Sequence, residues 1–371
     1  MKMDVDDADW DVVVVGGGPA GSSAARAAAE ADAAALLIDR RETIGIPVQC
    51  AEFLARKVVL DQRFPREAIA QDVERSKTFL REEEVSVRRN PGCILNRDVA
   101  DKVLWDRARS AGAETMLGTR VTAIEGEPGG LYSVSMTLSN GDERTTTAAL
   151  IIGADGPRST VGAAVGISNH KMVVANQVTV PLNGPSEDTE VYLAPVFAGG
   201  YAWMFPKGDL ANVGVGVDVS LGASPMRAMA VFLDLLGDRI GDPIRSTGGL
   251  IPVGGPLPMR MERTLLAGDA AGLTHPITGG GIHQALESGR LAGEAAAAFV
   301  HGDEGALERY EPEFLALFDI HLGRAHDRRR WMVSAWEGTL GDAEAFDALA
   351  RRTWIGFKEY YRKGDSGPDD E

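Results

Sequence analysis

The sequence predicts an α/β fold: a parallel sheet built on a βαβ unit, with a β-rich insertion and a helical C-terminal segment. Four stretches predict it. "WDVVVVGGGPAGSSAARAAAE", residues 10–30, runs four valines into three glycines and restarts as an alanine-rich helix. "AALLID", residues 34–39, supplies a second apolar strand and completes a βαβ unit of about 30 residues. Between residues 173 and 219 short β-like runs dominate, and beyond residue 302 the apolar spacing turns helical.

In chain order, Val12–Val15 reads as a buried strand, Ala20–Ala29 as a helix and Ala34–Asp39 as the second strand. "RDVADKVLWDRARSAGA" places Val99, Val103, Leu104 and Ala108 at helical spacing, and Gly112 ends that helix. "TRVTAIEG", "LYSVSMTLSNGDERTT" and "AALIIGADG" follow as strands, with a hairpin at Asn140-Gly141 and a glycine-rich turn after the last. "EPEFLALFDIHLGRAHDRRRWMVSAW" sets Leu315, Phe318 and Leu322 on one helical face. A helix covering the substrate region is one reading; peripheral membrane contact, with Arg328–Arg330 and Trp331 at the surface, is the other. The expected division gives residues 8–60, 93–170 and 250–302 to a discontinuous cofactor domain. Residues 61–92 and 171–249 go to a substrate domain, 303–364 to a helical segment and 365–371 to a disordered tail.

Composition removes several function classes. No apolar run approaches the roughly 18 residues of a spanning helix, and the N-terminus is acidic where a signal peptide is basic. A soluble, cytoplasmic protein is expected. The 54 acidic residues outnumber the 38 basic ones, for a net charge of −16, which disfavours nucleic acid as a partner. Scarce lysine beside abundant Asp and Ala fits a salt-rich cytoplasm, where screening removes self-repulsion. Cys50 and Cys93 lack metal-ligand or framework spacing, and His321 and His326 lack partner ligands, so no metal site is expected.

Gly16, Gly18 and Gly21 form G-x-G-x-x-G between strand and helix. The first allows the turn, the second lets the backbone approach a pyrophosphate, and the third packs helix on strand. Asp39 ends the next strand, about 20 residues on, where a carboxylate accepts ribose hydroxyls. "TLLAGDAAGLTHPITGGGIHQALESGRLAGE" then repeats the device: a strand meets Gly268-Asp269, and a helix begins near Gly281-Ile282. A nicotinamide dinucleotide has no use for it. FAD does, with Asp269 for ribitol hydroxyls and a helix N-terminus for the negative charge of the reduced flavin. A structural N-cap is the other reading of Asp269.

"GGGPAG", "IIGADGPRSTV" and "LLAGDAAGLTHPITGGGI" together resemble the flavoprotein hydroxylase superfamily, whose Rossmann-type FAD domain is of the glutathione reductase kind. "QCAE" (Gln49 to Glu52) and "YAWMFPKG" (Tyr201 to Gly208) resemble its geranylgeranyl reductase branch. The resemblance covers roughly residues 10–300 and implies an FAD-dependent oxidoreductase acting on isoprenoid double bonds. It implies that Ala20 and Asp39 touch the adenosine half of FAD and that Cys50 and Ala51, followed by Phe53, lie beside the flavin. Arg97, in an R-x-x-x-D-x-x-L pattern with Asp101 and Leu104, is implied near the phosphates or ribityl chain, and Val121 near the adenine. Asp155 of "IIGADG" joins the cofactor set, while Asp269, Gly281 and Ile282 hold the ribityl chain and flavin edge. The branch pattern is Cys-Gly-Glu, and here Ala51 replaces the glycine.

Hydride transfer to a trisubstituted alkene develops carbocation character at the more substituted carbon, and a proton arrives from the other face. Tyr201, Trp203 and Phe205 alternate along a strand and share a face, forming either a cation-tolerant wall or a packed core face. Cys50, Tyr201 and water are the candidate proton donors; a plain buried thiol is the other reading of Cys50. Two further functions stay open. One is a flavin monooxygenase or halogenase, in which "YAWMFP" stands for Trp-x-Trp-x-Ile-Pro and Lys77 for an upstream lysine; the other is a non-catalytic flavin- or lipid-binding protein. No second G-x-G-x-x-G occurs, which leaves ferredoxin, an NAD(P)H used without its own Rossmann site, or another protein as the electron donor.

Overall fold

The structure, a computed structural model, describes residues 8–126 and 129–362. Its strands begin with β1 (Trp10–Val15), β2 (Ala35–Ile38), β3 (Phe53–Ala55), β4 (Ile69–Leu80), β5 (Glu83–Leu95), β6 (Glu114–Met116), β7 (Thr119–Gly126) and β8 (Tyr132–Leu138). They continue with β9 (Glu143–Gly153), β10 (Met172–Pro181), β11 (Thr189–Leu193), β12 (Tyr201–Lys207), β13 (Leu210–Val217), β14 (Arg245–Pro252), β15 (Arg260–Met261) and β16 (Thr264–Leu266). The helices are α1 (Pro19–Glu30), α2 (Arg56–Asp61), α3 (Arg97–Ser110), α4 (Thr160–Ala164), α5 (Pro225–Leu236), α6 (Ile282–Val300), α7 (Ala306–Ala335) and α8 (Ala343–Thr353).

The first sheet has a parallel centre, β16-β9-β1-β2-β6, whose valines and leucines are buried on both faces. The long β9 leaves this centre to pair with β8, and β8 pairs with β7. On one face α1 and α6 pack through small residues. A Cβ on Gly289 would stand 2.0 Å from the Ala20 carbonyl oxygen, so the two backbones nearly touch.

The second sheet, β14-β10-β13-β12-β11-β4-β5-β3, is antiparallel apart from the β11–β4 pair. Alternation along its strands splits their side chains between two layers. Ala202 and Met204 of β12 and Tyr192 of β11 pack beneath α5 around Phe232. Val191 and Leu193 face the other way, into a cluster with α7 and α8 that Tyr201 and Phe205 flank. The helix α7 straps the two halves together: Tyr310, Phe314, Phe318 and Leu322 enter the first core, Ala325 and Met332 the second.

Some expectations are redrawn. The expected boundaries at 60/61 and 92/93 fall within the second sheet's own chain segment: β3 pairs with β5, and β5 runs unbroken to Leu95. Arg328 and Arg329 are not a surface run. Both are buried; Arg329 pairs with Asp218 at 2.6 Å and Arg328 donates to the Tyr360 carbonyl at 3.3 Å, so they pin α7 inward. The expected disordered tail lies outside the described residues. Among the described residues, no helix is long and apolar enough to cross a membrane, and no group of three or more His, Cys, Asp or Glu could hold a metal ion.

Candidate active site

The turn after β1 is forced by contact. Gly16 has φ +104°, and a Cβ there would stand 2.3 Å from the Ala154 carbonyl oxygen. A Cβ on Gly21 would stand 1.7 Å from the Gly16 carbonyl oxygen, so this glycine serves packing. Gly18 differs, since a Cβ there would meet nothing within 4 Å. It begins α1 with no side-chain cap, leaving the first N–H groups of the helix aimed at open space. Asp39 closes one side: it accepts the Gly17 N–H at 2.6 Å and is clamped by the Arg41 guanidinium at 2.8–2.9 Å. Although burial works against it, these bonds hold its carboxyl below the usual range.

Across the cavity, Asp269 follows β16. Burial raises its carboxyl to about 6 against the opposing pull of Arg97. The helix α6 starts at Ile282 behind Gly281, also without a side-chain cap. His275 lies nearby; burial lowers it to about 4, and its Nδ1 accepts the Thr278 N–H at 3.2 Å, which fixes a neutral ring. Asp155 also faces the cavity, but its oxygens accept from Ser159 Oγ and the Thr160 N–H at 2.5 and 2.6 Å, so they shape the turn before α4.

The loop 49–52 joins the two halves. Its anchor is Glu52, fully buried at φ +71°. One oxygen of Glu52 accepts from the Arg97 N–H at 3.0 Å, and the other from Lys207 Nζ at 2.6 Å and Asn212 Nδ2 at 2.7 Å. The left-handed position falls on Glu52 and not on Ala51, so alanine fits where the branch pattern has glycine. Cys50 Sγ accepts the Glu52 N–H at 3.2 Å and interacts with Arg97, whose guanidinium is paired with Asp101 at 2.7–2.8 Å.

Tyr201, Trp203 and Phe205 form the facing wall. The Tyr201 ring lies 5.7 Å from Trp203, and Phe205 meets Phe53 edge-on at 6.2 Å. Trp203 Nε1 donates to Gln177 Oε1 at 3.1 Å, and Gln177 Nε2 donates to the Cys50 carbonyl at 2.9 Å. One amide thus ties the aromatic strand to the cysteine loop. The Tyr201 hydroxyl donates to the Thr278 carbonyl at 2.5 Å, and burial beside Cys50 pushes the phenol well up.

All of this surrounds one cavity of about 1900 Å³. Gly16, Gly18, Ala20, Asp39, Cys50, Ala51, Phe53, Arg97, Val121, Asp155, Tyr201, Trp203, Phe205, Asp269, Gly281 and Ile282 line it; of the expected set, Gly21 alone does not. Glu52, Gln177, Lys207, Asn212 and Trp354 were missed by sequence reasoning as site residues. Glu52 and Lys207 lie inside the quoted motifs "QCAE" and "YAWMFPKG", which was the available signal. Lys77 points elsewhere. It sits 3.7 Å from both Glu84 and Asp188, while its neighbours Ser76 and Thr78 line the cavity.

The residues present fit FAD. Two uncapped helix N-termini suit its negative charge, Gly18 leaves room for backbone approach, and the part-buried Asp269 carboxylate lines the cavity as an acceptor for hydroxyl donors. Fold and site together define an FAD-dependent oxidoreductase with a Rossmann-type cofactor domain. The chain belongs to the geranylgeranyl reductase family: the FAD binding domain matches residues 9–195, and the geranylgeranyl reductase catalytic domain matches residues 173–246. The digeranylgeranylglycerophospholipid reductase of Methanocella arvoryzae is 35% identical over 330 residues, covering 83% of each chain. That of Methanococcus vannielii is 32% identical, covering 85% of this chain and 83% of its own. The structure of a geranylgeranyl bacteriochlorophyll reductase-like protein from Thermoplasma acidophilum superposes with a TM-score of 0.79 at 26% identity, covering 93% of this chain and 96% of that one. A flavin-dependent brominase, at 18% identity and a TM-score of 0.71 over 94% of this chain and 96% of its own, shares the fold.

Proposed function

We propose that the protein reduces carbon–carbon double bonds of isoprenoid lipid chains. The observation that carries this reading is the meeting of Cys50 with the Tyr201-Trp203-Phe205 face across one cavity, joined through Gln177. The relatives' names, digeranylgeranylglycerophospholipid reductase, support the same substrate class.

FAD, when bound and reduced by the electron donor, would supply the hydride. The turn at Gly16–Gly18, the N-terminus of α1 and Asp39 would hold its adenosine and phosphates; Arg97, Asp269 and the N-terminus of α6 would hold the ribityl and flavin end. The chain's own work is to seat the alkene, exclude water and deliver a proton. The indole and phenol faces of Trp203 and Tyr201 tolerate the cationic character that develops on the substituted carbon. The Tyr201 proton is engaged by the Thr278 carbonyl, whereas the Cys50 thiol lines the cavity, its sulfur accepting the Glu52 N–H beside Arg97. Cys50 is therefore the favoured proton donor.

The electron donor is ferredoxin or NAD(P)H, and reduction of the bound flavin by each in turn separates the two. A long prenyl chain is drawn from a lipid surface, and the exposed Leu317 and Ile320 of α7 are apolar side chains suited to that contact. Co-flotation with vesicles, lost in a Leu317→Asp/Ile320→Asp variant, checks it.

The decisive experiment is anaerobic incubation of reduced enzyme with a geranylgeranyl lipid, followed by mass spectrometry. Gain of hydrogen across the alkene is the expected result. Hydroxylation or halogenation that requires oxygen, with the alkene untouched under nitrogen, would assign the site to the oxygen-using side of the superfamily. Bound FAD with no turnover of either kind points to a non-catalytic carrier.

A further inference from the structure

Behind the aromatic face lies a second space, between the second sheet and the C-terminal helices. It holds about 20 Å³, room for about one water, but its walls are largely apolar, among them Leu193, Ile277, Met332, Trp336, Phe346 and Leu349, and the hydroxyl of Thr353 is spent on the Leu349 carbonyl at 2.9 Å. A void of this chemistry stays dry and takes hydrocarbon when enlarged.

Tyr201 and Trp354 line both this space and the main cavity, so they form the partition. Their ring centroids are 4.9 Å apart and the planes are inclined at 55°. Each is anchored at its polar end. The Tyr201 hydroxyl donates to the Thr278 carbonyl, and Trp354 Nε1 donates to Thr78 Oγ1 at 3.3 Å. The chain after Trp354 is fastened to β5, because Ser86 Oγ donates to the Gly356 carbonyl at 3.3 Å and Arg88 to the Ile355 carbonyl at 3.2 Å. The indole is thus a fixed wall, 7% exposed. Residue 354 also lies beyond the stretches, 9–195 and 173–246, over which the family match extends.

Resting on the isoprenoid reading above, we infer that Trp354 is the end stop of the substrate channel and sets the length of prenyl chain the cavity accepts. A chain laid along Tyr201, Trp203 and Phe205, away from the cofactor turn, runs into the Trp354 ring. Removing that ring joins the small void to the channel and adds apolar space at its end. Each additional buried methylene discriminates by about 1–3 kcal/mol in such pockets, so an extra isoprene unit is a sharply resolved difference.

The test is anaerobic single-turnover reoxidation of the reduced holoenzyme by farnesyl, geranylgeranyl and geranylfarnesyl chains. Trp354→Ala is expected to raise the rate with geranylfarnesyl relative to geranylgeranyl by about tenfold over wild type, a change of about 1.4 kcal/mol. Trp354→Phe, the more conservative variant should alanine fail to fold, is expected to move the preference part of the way. Trp354→Ala combined with Ala350→Phe refills the space and is expected to return the wild-type order. An unchanged order of preference in both single variants, or an equal fall for all three chains, overturns the end stop while leaving the isoprenoid reading in place. A wild-type enzyme that reduces none of the three chains overturns both.

Discussion

The cavity has two ends built on different principles. At the cofactor end the wall is mostly backbone, a turn at Gly16 and two helix N-termini, joined by the carboxylates of Asp39 and Asp269. At the substrate end the wall is side chain: Tyr201, Trp203, Phe205 and Trp354. A backbone wall is fixed by local sterics and tolerates almost no substitution, whereas a side-chain wall is held by long-range packing and can be reshaped. The cofactor end should therefore answer mutation with loss of fold or of FAD, and the substrate end with changed rates on an intact holoenzyme.

The largest expected effect separates two glycines of one turn. Gly16→Ala places a Cβ 2.3 Å from a backbone oxygen at φ +104°, with no side chain available to yield. Strain and clash together should cost about 3 kcal/mol or more, read as a lowered denaturation midpoint of the apoprotein. Gly18→Leu sits at φ −77° with open space before it. Its apoprotein should melt like wild type while FAD affinity falls at least about tenfold, or about 1.4 kcal/mol. Tight FAD binding by Gly18→Leu would remove the turn from the cofactor site.

Next comes Asp269. Burial raises its carboxyl in the folded apoprotein to about 6, above the unfolded value near 4. The folded state then binds this proton more tightly than the unfolded one, so the group's contribution to stability is full below about pH 4 and is lost as pH rises through about 6. Asp269→Asn should stabilise the apoprotein above pH 6 by an amount on the order of 2–3 kcal/mol and leave it unchanged below pH 4. The same variant should lose FAD affinity about tenfold, because an amide accepts ribityl hydroxyls less well than a carboxylate. A variant less stable than wild type at pH 8 would show that the carboxylate is satisfied in a way the geometry does not reveal.

These two ends also differ in how far the sequence discloses them. Gly16, Gly18, Gly21 and Asp39 act through neighbours close in the chain, so spacing alone places them. Cys50 and Trp203 each lie in a motif of their own, yet both bond to Gln177, which is 127 residues from Cys50, and no local pattern reports that link. The ion pair of Glu52 with Lys207 spans 155 residues, and each looks alone like an ordinary charged residue beside a motif. Arg328 and Arg329 mislead in the opposite sense: a basic run reads as surface, yet Asp218, 111 residues from Arg329, makes burial tolerable. Trp354 carries no motif, and its place in the wall emerges only when α8 is packed on the second sheet.

A smaller effect is expected at Trp203. Trp203→Ala should keep FAD and slow alkene reduction by about tenfold, since a desolvated ring face is worth about 1–2 kcal/mol to a cationic carbon. Trp203→Phe keeps a face but leaves Gln177 Oε1 without its donor. Its loss should be smaller and should come from the Cys50 loop. Loss of FAD in Trp203→Ala would mean that the two ends are not separable.

The smallest expected effect is at Lys77, and it bears on which chemistry the fold performs. A halogenase reading needs a lysine reaching the space between flavin and substrate. Strand alternation in β4 turns Ser76 and Thr78 toward the cavity and Lys77 away from it, where its ammonium lies 3.7 Å from Glu84 and from Asp188. A half-exposed pair at that distance contributes at most about 1 kcal/mol. Lys77→Met should thus lower stability by no more than that and leave anaerobic alkene reduction at the wild-type rate, both measured on FAD-loaded enzyme. A collapse of turnover with the fold and FAD intact would require Lys77 to reach the reacting atoms by a rearrangement of β4. Such a result would bring the oxygen-dependent chemistry back into contention at a site whose cavity, in this structure, is lined by Cys50, Tyr201 and Arg97 but not by Lys77.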